Sequence, residues 1–318
     1  MGKTVIGMDI GGTNLRGALV TPEGRILRQL RIASDADDGI DAVVENIAGL
    51  VNELGGEGGV SGVGIGIAGV IDSKTGVITQ APNIANVVNY PIRDNLAKKL
   101  GPGTNVIVEN DANCAALGEW WIGAGKDAAS LVMITLGTGV GGGIILDGRL
   151  WTGADGMGGE VGHMTVYPDG ALCNCGNHGC LESYASATAV RRMVREALAE
   201  PGVKTVLRDM IPGSDPDDIP EVVMSAALKG DAASIDIWER FGVALGIGMA
   251  SLVNILNVEM IVLGGGVARA WDMFIGPARA ELKKRGLRAP AERVVIERAG
   301  LNGDEGILGA AYLALGGR

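Results

Sequence analysis

Along the chain, short aliphatic runs alternate with glycine turns, and the spacing of apolar positions switches between strand and helix periods. Thr4 to Met8 predicts a strand ending at Asp9; past a glycine turn, Leu15 to Val20 and Ile26 to Ile32 predict two more, joined by Pro22-Glu23-Gly24. From Asp41 to Leu54 the period lengthens, and Val43, Val44, Ile47, Leu50, Val51 and Leu54 share one helical face. Val60 to Val70 predicts a strand ending in Gly66-Ile67-Ala68-Gly69, and Ile92 to Leu100 a short helix. Asn105 to Val108 predicts a buried strand that delivers Glu109-Asn110-Asp111 at its carboxyl end.

A second cycle starts near Ser130. Leu131 to Leu136 and Gly141 to Leu146 predict strands on either side of Gly137-Thr138-Gly139, with a turn at Asp147-Gly148. Residues 151–180 are loop-rich, and helices are expected at Ser186 to Ala199 and Ala232 to Leu256, separated by an acidic proline-bearing loop from Pro212 to Pro220. Met260 to Leu263 predicts a strand running into Gly264-Gly265-Gly266, Val294 to Glu297 a last strand, and Gly306 to Leu315 a closing helix. Strand, glycine turn, strands, helix, and then the same again: the pattern predicts an α/β protein of two lobes with a ligand cleft between them. The expected division is 1–111 for a small first lobe and 112–304 for a larger second one, with a closing helix at about 305–318 packing back on the first.

Composition narrows the classes of function. At 318 residues the chain exceeds what one core usually fills, which agrees with two lobes. A formal charge of −10 argues against a grip on nucleic acid, which needs clustered Lys and Arg. Neither an uninterrupted apolar stretch of about 18 residues nor an apolar export segment is visible, so no membrane partner and a cytoplasmic location are expected. Fifty-three glycines gather in short runs between apolar strands, where a backbone turns tightly or approaches a ligand. Three of the four cysteines lie between Cys173 and Cys180, a clustering that reads as metal binding.

The glycine turns carry the first candidate chemistry. In Asp9-Ile10-Gly11-Gly12-Thr13-Asn14, backbone N–H groups can face an anion while Thr13 and Asn14 add side-chain donors. A carboxylate beside phosphates calls for a cation, so Asp9 implies Mg²⁺. Thr135-Leu136-Gly137-Thr138-Gly139 repeats this grammar, and because a strand follows it, a dinucleotide-binding fingerprint is excluded. Gly264-Gly265-Gly266 is a third such turn, able to pack against a base or ribose. Asp111 closes a buried strand at the head of a helix, where the dipole favours its charge, and can serve as the base for an attacking hydroxyl. Asn110 beside it can pair with sugar hydroxyls. Cys173, Cys175 and Cys180 with one histidine complete a tetrahedral zinc set; His163 and His178 both compete for the fourth place.

The three glycine turns resemble the phosphate-1, phosphate-2 and adenosine motifs of the actin, Hsp70 and hexokinase ATPase superfamily. Asp-Ile-Gly-Gly-Thr-Asn, then Glu160-Val161-Gly162-His163, then Cys173-Asn174-Cys175-Gly176-Asn177-His178-Gly179-Cys180-Leu181-Glu182, in this order, resemble the ROK family of repressors and sugar kinases over essentially the whole chain. The stretch Glu109 to Lys126, with Glu119-Trp120-Trp121-x-Gly-Ala-Gly, is most similar to that family's glucokinases. The resemblance implies phosphorylation of a hexose by ATP with Asp111 as base. It also implies sugar contacts from Asn110, Glu160, His163 and Glu182, and structural Zn²⁺ on His163, Cys173, Cys175 and Cys180 within a loop at 163–180; Gly69 and Asn83 are further candidate sugar contacts, Trp120, Trp121 and the helix Ala232 to Leu256 are expected in the core or a subunit contact, and a homodimer is expected. No position among these departs from the family pattern. Regulators of the family carry a DNA-binding domain before the first glycine turn, for which Asp9 leaves no room, so a kinase is expected.

Overall fold

The computed structural model describes residues 4–56, 59–81, 83–85, 87–101 and 103–317. The first hairpins are β1 (Val5–Ile10), β2 (Asn14–Val20) and β3 (Ile26–Ala33), followed by α1 (Ile40–Gly55) and β4 (Gly62–Ile67). A small antiparallel sheet of β5 (Val70–Asp72), β6 (Val77–Gln80) and β7 (Val88–Tyr90) comes next, then α2 (Ile92–Leu100), β8 (Asn105–Asn110) and α3 (Asp111–Ile122). The second cycle opens with β9 (Leu131–Leu136), β10 (Val140–Leu146) and β11 (Arg149–Leu150). The helices α4 (Ala187–Ala199), α5 (Leu207–Met210), α6 (Ile219–Leu228) and α7 (Ala232–Leu256) follow. The chain ends with β12 (Met260–Gly264), α8 (Trp271–Arg285), α9 (Arg288–Arg293), β13 (Val295–Arg298) and α10 (Glu305–Ala314).

Two five-stranded sheets share one plan. The first has the order β3-β2-β1-β4-β8, the second β11-β10-β9-β12-β13. In the first sheet the hairpin strands β1 to β3 are antiparallel, while β4 and β8 join β1 in parallel. The duplication expected from the sequence is therefore present at the level of strand order. The chain divides into two compact units: residues 1–133, 143–159 and 299–318 form unit 1, and 134–142 with 160–298 form unit 2. Helix α3, which the sequence pattern places at the head of the second lobe, lies in unit 1, as does α10.

In unit 1 one face of the first sheet is covered by α1 and α2, burying Val43, Val44, Ile47, Leu50 and Leu96 against Ile6, Met8, Ile65 and Val108. On another side α10 packs on β1 and β4 as well as on α3. Its approach is so close that a methyl group at Gly64 would sit 1.8 Å from the carbonyl oxygen of Ala310, which explains why a core strand here reads Gly-Val-Gly-Ile-Gly-Ile. In unit 2, α7 packs along α8, and Trp238, Phe241 and Phe274 stack at its centre. By length and composition α7 is apolar enough to cross a membrane, but 56% of its apolar window is buried in the protein, the pattern of a core helix.

Three departures from the sequence reading have physical causes. The run Val60 to Val70 is split into β4 and β5, because Gly69, at φ 146°, turns the chain out of the first sheet. Helix α8 was hidden by Gly276 and Pro277 in its middle; burial of Phe274, Ile275, Ala278 and Leu282 holds it helical despite both. The acidic loop ends early, since Pro220 sits in the first turn of α6, where its missing N–H has no helical partner to lose.

Candidate active site

Each unit holds its own group of candidate residues. In unit 1, β1 carries Asp9 to the end of its strand and the chain reverses through Gly11, Gly12 and Thr13 into β2. The Gly11 N–H donates to the Asn14 carbonyl at 2.9 Å. Ser34 holds the turn from the other side: its hydroxyl donates to the Gly12 carbonyl at 2.6 Å and its N–H to the Thr13 carbonyl at 3.1 Å. Asp9 is not alone, because Arg16 Nη2 lies 2.5 Å from its Oδ2. Arg31 donates from Nε to Asn14 Oδ1 at 3.0 Å. These two arginines, Asp9 and the turn from Gly11 to Asn14 line a cavity of about 430 Å³. Asn83 backs onto Gly12, where a methyl group would come within 3.3 Å of the Asn83 Cβ.

The strand-to-helix junction of β8 and α3 presents the candidate base. Asn110 is the N-cap; its Oδ1 accepts from the N–H groups of Ala112 at 2.9 Å and Asn113 at 3.2 Å. Its Nδ2 donates to the carbonyl of Gly69 at 3.2 Å, so two of the expected sugar contacts are tied to each other. Asp111 is the first helical residue, and the Ala112 N–H donates to its Oδ1 at 2.9 Å. Beneath them Glu109 is buried and accepts from the Asn110 N–H at 2.9 Å and from Asn113 Nδ2 at 3.0 Å. Burial raises the Glu109 pKa from its ordinary value, against the pull of those donors.

Unit 2 brings the other two glycine turns together. The carbonyls of Gly137 and Thr138 accept from the Ala187 N–H at 2.8 Å and the Thr188 hydroxyl at 2.8 Å, which docks the turn after Thr135 onto the start of α4. β12 ends at Gly264, and Gly265 has φ 84°; a methyl group there would lie 2.5 Å from the Leu136 carbonyl oxygen. No residue other than glycine fits that crossing without displacing β9. Gly139 abuts Glu182, and Gly266 opens a short 3₁₀ turn.

The candidate sugar and metal residues of unit 2 form one cluster. A ligand atom from each of His163, Cys173, Cys175 and Cys180 lies within 4.8 Å of every other. Cys173 Sγ is 3.8 Å from His163 Nδ1, and Cys175 Sγ is 3.7 Å from Cys180 Sγ. A tetrahedron with metal–sulfur bonds of about 2.3 Å has edges of about 3.8 Å, so the set fits Zn²⁺. His178 lies elsewhere, with Nδ1 3.1 Å from the Gly170 carbonyl oxygen, and His163 is the histidine of the group. Burial and the neighbouring Cys175 thiol push the Cys180 thiol up to about 12, whereas hydrogen bonds from the Asn177 backbone and Cys173 lower Cys175. His163 Nε2, on the other side of the ring, is 3.9 Å from Glu160 Oε2. Glu182 takes the Val140 N–H on Oε2 at 2.9 Å and sets Oε1 3.8 Å from Cys173 Sγ.

Arg16, Arg31 and Ser34 escaped the sequence reading. Arg16 stands on the next strand and Arg31 and Ser34 on or just after the one beyond it, and it takes the register of β1, β2 and β3 to see that the two arginines line up with Asp9.

Duplicated five-stranded sheets with glycine turns at their strand ends define the actin-like ATPase fold. Within it, the chain belongs to the ROK family, whose model matches residues 5–316. Glucokinase of Thermotoga maritima is 38% identical over 309 residues, covering 97% of this chain and 96% of that one. Glucokinase of Streptomyces coelicolor is 36% identical, with 99% and 98% covered. Among solved structures, a ROK family glucokinase from Streptomyces griseus in complex with glucose and AMPPNP superposes with a TM-score of 0.82 at 36% identity, over 99% of this chain and 100% of that one.

Proposed function

We propose that the protein is an ATP-dependent hexose kinase that phosphorylates the 6-hydroxyl of glucose, with Asp111 as general base. The observation that carries this reading is the β8–α3 junction. It supplies a carboxylate at a helix N-terminus, fixed by the Ala112 N–H and flanked by the capping Asn110, in a chain similar to glucokinases over nearly its full length. Glucose and a nucleotide analogue bound to the Streptomyces griseus relative support the choice of hexose and donor.

In this reaction Asp111 accepts the proton of the 6-hydroxyl as its oxygen attacks the γ-phosphorus; the bond from phosphorus to the β,γ-bridging oxygen breaks, and ADP departs with that electron pair. The turns from Gly11 to Asn14 and from Gly137 to Gly139 hold the phosphates through backbone N–H groups and the Thr13 and Thr138 hydroxyls. Thr135 supports the second turn, and Gly264, Gly265 and Gly266 provide a flat backbone surface for the adenosine. Glu160, His163, Glu182, Asn110, Asn83 and Gly69 pair with sugar hydroxyls and so set the orientation of the acceptor.

Two metals accompany this reading. Mg²⁺, when bound, would neutralise the transferring phosphates, and Asp9 is the carboxylate that would hold it. Zn²⁺, when bound by His163, Cys173, Cys175 and Cys180, is structural. A metal held by His163 would fix the ring's tautomer and angle and so keep Nε2 beside Glu160. Work in the cytoplasm as a homodimer completes the proposal.

The test is ADP release by the purified protein with Mg²⁺ and ATP against glucose, mannose, fructose, N-acetylmannosamine and N-acetylglucosamine. Glucose is expected to give the highest kcat/KM. A stronger response to an N-acetylated sugar would reassign the substrate, and binding of glucose without turnover would make the protein a sugar sensor.

A further inference from the structure

The second glycine turn is held by one short segment of the chain. Ala187 and Thr188, at the head of α4, tie down the carbonyls of Gly137 and Thr138, and Glu182, just before them, accepts the Val140 N–H. Ser186 makes one body of that segment. Its hydroxyl donates to the Glu182 carbonyl at 2.8 Å and, as the cap of α4, accepts the Ala189 N–H at 3.0 Å. A neighbour settles the direction of the Thr188 hydroxyl: Arg191 Nη2 lies 3.1 Å from Thr188 Oγ1 and can only donate, so the hydroxyl proton goes to the Thr138 carbonyl. Arg191 is itself held by Asp217 Oδ1 at 3.0 Å and by the Pro216 carbonyl at 3.2 Å.

The planarity of the peptide unit turns these ties into an aim. In a trans peptide each N–H points opposite to the carbonyl of the residue before it. Fixing the Gly137 and Thr138 carbonyls on α4 therefore aims the N–H groups of Thr138 and Gly139 away from α4, as a pair of donors. Glu182 closes the same turn at Val140, and it packs against Gly139 so closely that even a methyl group there would collide with Oε2. Donors aligned in advance lose little freedom when an anion arrives, so a turn fixed in this way binds it more tightly than a loose one. We propose that Glu182 and Thr188 are positioning residues for the donor phosphates, so that the carboxylate assigned to the sugar serves the nucleotide as well. This rests on the reading that the turn from Gly137 to Gly139 receives the phosphates of a nucleotide.

Calorimetric titration of ADP with Mg²⁺ into the sugar-free protein tests it, with adenosine as the ligand that lacks phosphates and zinc content measured on every variant. Thr188→Val keeps the shape and removes the donor. It is expected to weaken ADP binding about 3- to 10-fold, the worth of one hydrogen bond, and to leave adenosine unchanged, while Thr188→Ser restores the wild-type affinity. Glu182→Ala is expected to weaken ADP binding by a similar factor although no sugar is present. Glu182→Gln keeps an oxygen for the Val140 N–H and is expected to retain ADP binding. If Glu182→Ala fails to fold or loses zinc, Glu182→Asp, whose shorter arm draws the carboxylate back from Val140, takes its place. Unchanged ADP affinity in Thr188→Val, or a loss shared equally by adenosine, overturns the role of Thr188. Unchanged ADP affinity in the Glu182 variants confines that carboxylate to the sugar and overturns its part. Wild-type protein that binds no ADP would instead overturn the reading of the turn as a nucleotide site.

Discussion

At the β8–α3 junction, three successive polar residues receive different tasks from their surroundings. Asn110 spends its oxygen on the helix N-terminus and its amide on Gly69, Asp111 opens α3 with its Oδ1 held by the Ala112 N–H, and Glu109 is buried beneath both. Desolvation raises the Glu109 pKa, so its ionised form is disfavoured by folding. Its contribution to stability is complete below the ordinary glutamate pKa of 4.5 and is lost as pH rises through the elevated folded value. Glu109→Gln keeps an oxygen for the Asn110 N–H and the Asn113 amide and carries no charge at any pH. The variant is expected to be more stable than wild type at pH 7, the gap closing towards pH 4, as read from urea midpoints across that range. A gap that stays constant with pH would contradict this assignment of the proton.

Among the elements, α3 is fastened at its far end by a residue whose role only the structure discloses. Glu119 is fully buried; its Oε2 accepts from the Ala124 N–H at 2.7 Å and the Gly300 N–H at 3.0 Å, and its Oε1 from the Leu301 N–H at 2.9 Å. One carboxylate thus joins the end of α3 to the segment leading into α10. Glu119→Ala leaves three part-buried N–H groups without their acceptor and is expected to cost about 2–4 kcal/mol in urea unfolding; a loss below about 1 kcal/mol would refute the clamp. The cluster of His163, Cys173, Cys175 and Cys180 is proposed as a second such fastening, through zinc. Prolonged treatment with a strong chelator is expected to remove one equivalent of zinc per chain, lower the melting temperature and weaken glucose binding, checked by metal analysis and calorimetry. Protein isolated with no zinc, binding glucose unchanged, would contradict the assignment.

The same elements show what a sequence can reveal. The placement of Asp9 at a strand end, of Asp111 at the head of a helix and of the cysteines in one cluster was legible, because it rests on local period or on a spacing set by metal geometry. The strands of the first sheet and α1, α2 and α7 were legible from period and length. Arg16 was not, because its tie to Asp9 depends on a cross-strand register. Glu119 meets residues some 180 positions away, and α8 owes its helicity to packing on α7 against its own Pro277. Local chemistry reads from the chain; long-range partners do not.

Over the whole molecule, each unit carries its own set of candidate residues. Unit 1 has the Asp9 turn and Asp111; unit 2 has the other two glycine turns and the cluster of Glu160, His163, Glu182 and the cysteines. Duplicated strand order provides both units with glycine turns at the ends of their central strands, and insertions such as the loop from 151 to 180 add what differs between them. The central claim is that Asp111 moves the proton in a hexose kinase, and one pair of rates tests it most directly: kcat for glucose in the wild type and in Asp111→Asn, with glucose affinity measured by calorimetry on both. The account predicts glucose binding within a few-fold of wild type and kcat reduced by about 10²- to 10⁴-fold, the range for loss of a positioned general base. An Asp111→Asn protein that turns over glucose within a few-fold of wild type would contradict it.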